Sequence, residues 1–168
     1  MQLRRFRCDL PDPPATEAAG AALAGALTGG MLVTLSGPLG AGKTTLVRGV
    51  LRALGWAGPV KSPSYALLEH YPFSNIYLYH FDFYRFADPA EWENLGAAEC
   101  FTPQSVCLVE WPERVAGLLP AADLEVRLAP SAGGDGRTLE LSATTTAGER
   151  CMNAIEAALA ASRPCASR

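Results

Sequence analysis

The run MLVTL at residues 31–35 leads straight into Ser36-Gly-Pro-Leu-Gly-Ala-Gly-Lys-Thr-Thr-Leu-Val-Arg48, which carries the spacing G-x-x-x-x-G-K-S/T. An apolar run without polar alternation is the pattern of a strand covered on both faces, so a parallel sheet with flanking helices is implied. The glycine-rich turn that follows converges main-chain N–H groups on anionic oxygens, and the positive end of the next helix dipole adds to them. Gly37 and Gly42 supply backbone freedom. Lys43 is placed to reach the β and γ phosphates of a nucleotide, and the Thr44 hydroxyl to bind Mg²⁺. The whole cradle is read as Gly37, Pro38, Leu39, Gly40, Ala41, Gly42, Lys43, Thr44 and Thr45.

Length and composition bound what surrounds this loop. A chain of 168 residues is expected to form one domain, here over residues 1–161, with 162–168 as a flexible tail. A hydrophobic share of 49%, a charged share of 18% and a net charge of -3 argue against binding nucleic acid through bulk charge. The five cysteines, Cys8, Cys100, Cys107, Cys151 and Cys165, are odd in number and form no C-x-x-C pair, so all are read as reduced, with small apolar roles for Cys100 and Cys107. The N-terminus has charge but no apolar core of signal length, and no run approaches a membrane span. A cytoplasmic protein is expected.

The remaining punctuation predicts the other elements. LRRFRC opens as a strand, and DLPDPP turns into an alanine-rich helix closed by Gly29 and Gly30. The loop helix runs to about Leu54, with Leu46, Val50 and Leu54 on one face and Arg48 and Arg52 pointing away. Tyr65–Tyr71 and Ile76–Asp82 read as an antiparallel hairpin. Asp88-Pro89-Ala90-Glu91 has the form of an N-cap, a first-turn proline and a capping-box acid. SVCLVEW reads as an apolar strand ending in an acid, DLEVRLA and RTLELSA as a last hairpin, and AGERCMNAIEAALAAS as a final helix. The order of elements indicates an α/β three-layer P-loop NTPase fold, with a mostly parallel central sheet and antiparallel hairpins at its margins. Strand order is left open.

A nucleotide hydrolase also needs an acid near the metal, conventionally at the end of a strand beside the loop. Glu110 ends VCLV and Asp82 ends IYLYHF, and alternation puts His80 and Asp82 on one face. Either acid can hold Mg²⁺ through water or orient an attacking water as base. Ser62 or Ser64, in KSPSYALLE, is the candidate hydroxyl for sensing a γ phosphate. Arg85 is either a cis arginine finger or the partner of Glu91 or Glu93, and His80 either a ligand-shell residue or a buried histidine. Trp111 either covers the base, docks a partner or packs the core, and Arg4, Arg5 and Arg7 read as a solvated strand edge. No N-K-x-D segment supports guanine, so ATP is the default nucleotide, and no late arginine-dense segment resembles the lid of a small-molecule kinase.

SGPLGAGKTTLVRG, VKSPSYALLEHY, YHFDFYR and CLVEWPER occur in the order and approximate spacing of the bacterial TsaE (YjeE) proteins, and the chain resembles that family from about residue 10 to 155. Four linked motifs are far more specific than the loop alone. The resemblance implies an ATPase required for N6-threonylcarbamoyladenosine in tRNA, working with TsaB and TsaD, touching tRNA only indirectly and monomeric when free. Lys43 and Thr44 would meet the phosphates and Mg²⁺; Asp82 and Glu110 would be the acids at the metal and attacking water. A switch would centre on Ser62-Pro63-Ser64-Tyr65, where Ser64 keeps the hydroxyl of the family's usual threonine for a metal role. Water would then receive the phosphoryl group, with a small-molecule kinase and a non-hydrolysing adaptor as the alternatives.

Overall fold

The computed structural model describes residues 3–162. Its elements in chain order are β1 (Arg4–Leu10), α1 (Pro13–Ala24), β2 (Met31–Ser36), α2 (Lys43–Ala53), β3 (Leu68–Pro72), β4 (Tyr77–Asp82), α3 (Pro89–Leu95), β5 (Ser105–Glu110), β6 (Leu124–Pro130), β7 (Arg137–Ala143) and α4 (Thr146–Ala161). Short 3₁₀ turns occupy Ala97–Cys100 and Pro112–Val115.

The seven strands form one sheet in the order β1-β7-β6-β2-β5-β4-β3. Its centre, β6-β2-β5-β4, is parallel, and β3 and β7 fold back antiparallel as hairpins on either side. β1 closes the far edge against β7. The mixed sheet is the one expected, and the strands buried along their whole length, β2 up to Leu35 and β5 throughout, are the apolar runs. Burial on both faces leaves no room for a polar side there.

The two faces are unequal. Met31, Val33 and Leu35 of β2, Leu78 of β4, and Val106 and Leu108 of β5 pack against Leu46, Val47, Val50 and Leu51 of α2, with α1 and α4 in the same layer. The alternate residues, Leu32, Phe81, Cys107 and Val109, meet a thinner cover from Trp92 of α3, Ala97, Cys100 and Val115. Period-two alternation therefore decides where the acids go: Asp82 and Glu110 share the parity of Leu78 and Leu108, and so face the α2 layer.

Helices α1 and α2 touch backbone to backbone. A Cβ on Gly20 would lie 2.1 Å from the Leu46 carbonyl oxygen, and one on Gly49 would lie 2.1 Å from that of Glu17. Two glycines facing one another thus set the depth at which α2, and the loop before it, sits.

Some boundaries differ from expectation. α1 ends at Ala24 instead of continuing to Leu27, because Ala26 and Leu27 bond back to the carbonyls of Leu23 and Ala24 and tighten the last turn out of the helix. β3 begins at Leu68 because Ser64–Ala66 form a turn, closed by the Leu67 N–H on the Pro63 carbonyl at 2.6 Å. The capping box at Asp88 and Glu91 is present as read. Arg4 pairs with Glu156 at 2.9 Å and Arg7 with Glu140 at 3.3 Å, so the basic edge is partly ion-paired. Beyond Ser162, the expected tail and Cys165 lie outside the described residues. No helix among the described residues is long and apolar enough to cross a membrane.

Cys100, Cys107 and Cys151 are buried thiols outside any disulfide, and Cys8 is buried too. Burial pushes the Cys107 thiol up from 9.0 to about 12 and the Cys151 thiol up from 9.0 to about 11. Their neutral forms are favoured in the fold, so this contribution is complete below pH 9 and is lost as pH rises from 9 toward 12. The urea midpoint is expected to fall across that interval, and Cys107→Ala to flatten the fall while lowering stability at neutral pH. Gly49→Ala should destabilise by about 3 kcal/mol through overpacking, exceeding the ~1 kcal/mol that alanine's helix propensity returns. Urea unfolding at pH 7 measures the glycine variant, and urea midpoints from pH 7 to 12 measure the cysteine prediction.

Candidate functional site

The turn from β2 into α2 uses backbone conformations that side chains resist: φ is 141° at Gly37, 75° at Gly40 and 102° at Gly42. Gly37 is doubly constrained, since a Cβ there would also lie 2.1 Å from the Leu128 carbonyl oxygen. Gly42 is the N-cap of α2 and offers no side-chain cap. The first N–H groups of this helix are therefore left for an anion.

Lys43 is 4% exposed, and its ammonium donates to the carbonyls of Gly37 at 2.6 Å and Pro38 at 3.0 Å. Burial holds its pKa below the ordinary lysine value, partly offset by the charges of Glu110, Asp82 and Glu113. Its Nζ lies 4.2 Å from the centre of the Trp111 ring. Trp111 has φ 59°, rare for a residue of its bulk, and its N–H bonds to the Leu35 carbonyl at 3.2 Å. That backbone turn at the end of β5 folds the indole back over the lysine.

The parallel register places Leu35, Glu110 and Asp82 in one row across β2, β5 and β4. Glu110 Oε1 accepts two hydrogen bonds, from the Thr44 hydroxyl at 2.9 Å and from His80 Nε2 at 2.8 Å. His80 is wholly buried, and its Nδ1 has no hydrogen-bond partner. This is the buried, hydrogen-bonded histidine of the two readings, and its partner is the acid at the end of β5. Asp82 faces the segment after α2: it accepts from the Ser62 hydroxyl and from the Tyr84 N–H at 2.9 Å.

These groups open into a cavity of about 490 Å³, within the range of small-molecule sites. Leu39 to Thr45, Ser62, Ser64, Asp82, Tyr84, Arg85, Glu110 and Trp111 all line it. Gly37 and Pro38 stand behind it, their carbonyls holding the lysine. Arg85 stacks on Tyr65 with its guanidinium 4.2 Å from the ring centre, whereas Glu91 is turned back to the N–H groups of Ala87 and Asp88.

The sequence reading missed a second wall, formed by Asp12, Pro13 and Thr16 at the start of α1 and by Asp135, Gly136 and Arg137 after β6. Its only sequence signal was the glycine-rich GGDGR ahead of β7. Placing it beside the loop requires knowing that β6 pairs with β2.

A crevice at the carboxyl ends of parallel strands, floored by a glycine loop and a helix N-terminus, defines a P-loop nucleotide-binding protein. The family model described as "Threonylcarbamoyl adenosine biosynthesis protein TsaE" matches residues 10–139, and the chain belongs to that family. Among similar proteins, the tRNA threonylcarbamoyladenosine biosynthesis protein TsaE of Haemophilus influenzae is 46% identical over 125 residues, covering 74% of this chain and 78% of that one. Its counterpart in Bacillus subtilis is 38% identical over 141 residues, covering 84% and 87%. The crystal structure of Bacillus subtilis YdiB superimposes with a TM-score of 0.76 at 27% identity, covering 94% of this chain and 97% of that one.

Removing the cation that sits over Trp111 should change the indole's surroundings. Lys43→Ala is expected to shift the tryptophan emission of the native protein, and Trp111→Phe to abolish that difference between the lysine and alanine forms. Steady-state fluorescence of the four variants checks this.

Proposed function

We propose that the chain is the ATPase component of tRNA threonylcarbamoyladenosine synthesis, acting in the cytoplasm as a single domain over residues 1–161. The observation that carries this is the convergence of Lys43, Thr44, Glu110 and Asp82 on one cavity at the strand ends. The names of its relatives support the pathway.

Lys43 leaves the carbonyls of Gly37 and Pro38 to meet the β and γ phosphates of ATP, which the amides of residues 37–45 surround. The hard oxygens of Thr44 and Glu110, 2.9 Å apart, suit Mg²⁺. An Mg²⁺ ion held by Thr44 and Glu110 would supply charge neutralisation for the phosphates. Glu110 is the acid on the metal side. Asp82, already bonded to Ser62, is the acid that orients the attacking water. Ser64 completes the polar lining as a further oxygen near the metal, and Arg85 can swing from Tyr65 toward the phosphates.

The γ phosphate favours one arrangement of residues 62–67, and hydrolysis releases it. Leu39 and Tyr65 are 71% and 82% exposed, and the residues carrying them belong to the loop and the switch segment. An apolar rim of this kind is suited to being covered by TsaB and TsaD, with tRNA reached only through them. Slow turnover in isolation is the corollary.

Lys43→Ala is expected to abolish ATP binding. Asp82→Ala and Glu110→Ala should still bind ATP but lose about 10²-fold or more in single-turnover hydrolysis with TsaB and TsaD present. Hydrolysis by both acid variants at the wild-type rate would refute the assignment.

A further inference from the structure

The phosphate chemistry accounts for only one side of the cavity. In the strand order β6-β2-β5-β4, the loop after β2 has Glu110 and Asp82 on one flank and the end of β6 on the other. Lys43 and Thr44 mark the β and γ end of a bound polyphosphate, and Thr44 is bonded to Glu110. The nucleoside must therefore leave by the opposite flank, between Pro13 and Thr16 of α1 and the β6–β7 hairpin.

Arg137 stands over the loop on that flank. Its Nη2 donates to the Gly40 carbonyl at 3.1 Å and its Nη1 to the Gly136 carbonyl at 2.8 Å. Its Nε lies 4.0 Å from where a Cβ on Gly42 would be. The guanidinium thus bridges the loop and the hairpin, with one N–H spent on each carbonyl. Hydrogen bonds from a guanidinium lie in its plane, so these two fix the plane and leave its flat face clear of them.

We propose that Arg137 is a specificity-determining residue of the nucleoside subsite, its guanidinium face stacking on the base of ATP. A phosphate would have to share an edge already committed in part to two carbonyls, whereas a base needs only the plane. Bridging also fixes the plane before the ligand arrives, so little side-chain freedom is lost on binding. The inference rests on the nucleotide reading of this cavity and adds to it the side on which the base lies.

The test compares two probes on the intact protein by calorimetry, Mg-ATP and Mg-tripolyphosphate, which shares the anionic tail and lacks the nucleoside. Arg137→Ala is expected to weaken ATP binding about tenfold and to leave tripolyphosphate binding within about twofold. Arg137→Lys, which keeps the charge and loses the plane, should behave like alanine, and it decides the question if the alanine variant fails to fold. An equal loss for both probes would assign Arg137 to the phosphates, and no loss for either would leave it structural; both overturn the inference. So does full ATP affinity in the lysine variant. If the wild type binds tripolyphosphate and ATP with equal strength, the nucleoside subsite is refuted while the phosphate site stands; if it binds neither, the nucleotide reading itself falls.

Discussion

Glu110 sits at the point where the sheet, the loop helix and the buried histidine meet. One oxygen of its carboxylate takes hydrogen bonds from Thr44 and from His80, tying the first turn of α2 to the end of β5 and to the neighbouring β4. A buried carboxylate is tolerated only where it is hydrogen-bonded or paired. Thr44, His80 and the nearby Lys43 charge supply those partners, two from the start of α2 and one from β4. The position of the helix N-terminus relative to the acid is thereby settled before any ligand binds.

Packing behind the site reinforces this. α2 is pressed against the sheet by Leu46, Val47, Val50 and Leu51, and against α1 through Gly20 and Gly49, where no side chain intervenes. The helix has little room to slide, so adaptation to a nucleotide falls on softer groups. Those are the Lys43 ammonium, the turn around Leu67 with its φ of 66°, and Arg85 resting on Tyr65. Under the proposed function, a fixed cradle beside a switch that moves would let a terminal phosphate bias one conformation over another.

Much of this was legible in the chain. The loop is a local motif whose glycines serve local torsions; the parity that puts His80 and Asp82 on one face is a property of any strand; and the Asp88–Glu91 box bonds within one turn. The strand at Tyr65 extends too far in the sequence reading because the apolar run Tyr65-Ala66-Leu67-Leu68 continues through a turn closed by a single main-chain bond at Leu67. Trp111 was expected to cover the base, dock a partner or pack the core; it does pack against the core, and its indole also lies over Lys43, a contact set by its positive φ and not readable from the sequence. Arg137 escaped notice because its neighbour in space, Gly40, is 97 residues away in sequence.

The sequence by itself determined the phosphate loop, the residue types that flank it and the face on which each strand carries its acid, since these depend on torsions and hydrogen bonds that span a few residues. Tertiary structure alone decided which strands adjoin β2, which acid meets Thr44 and which arginine crosses the loop. Those outcomes follow from pairings between segments distant in the chain, and the register of such pairings is selected by burial of the whole core on both faces of the sheet.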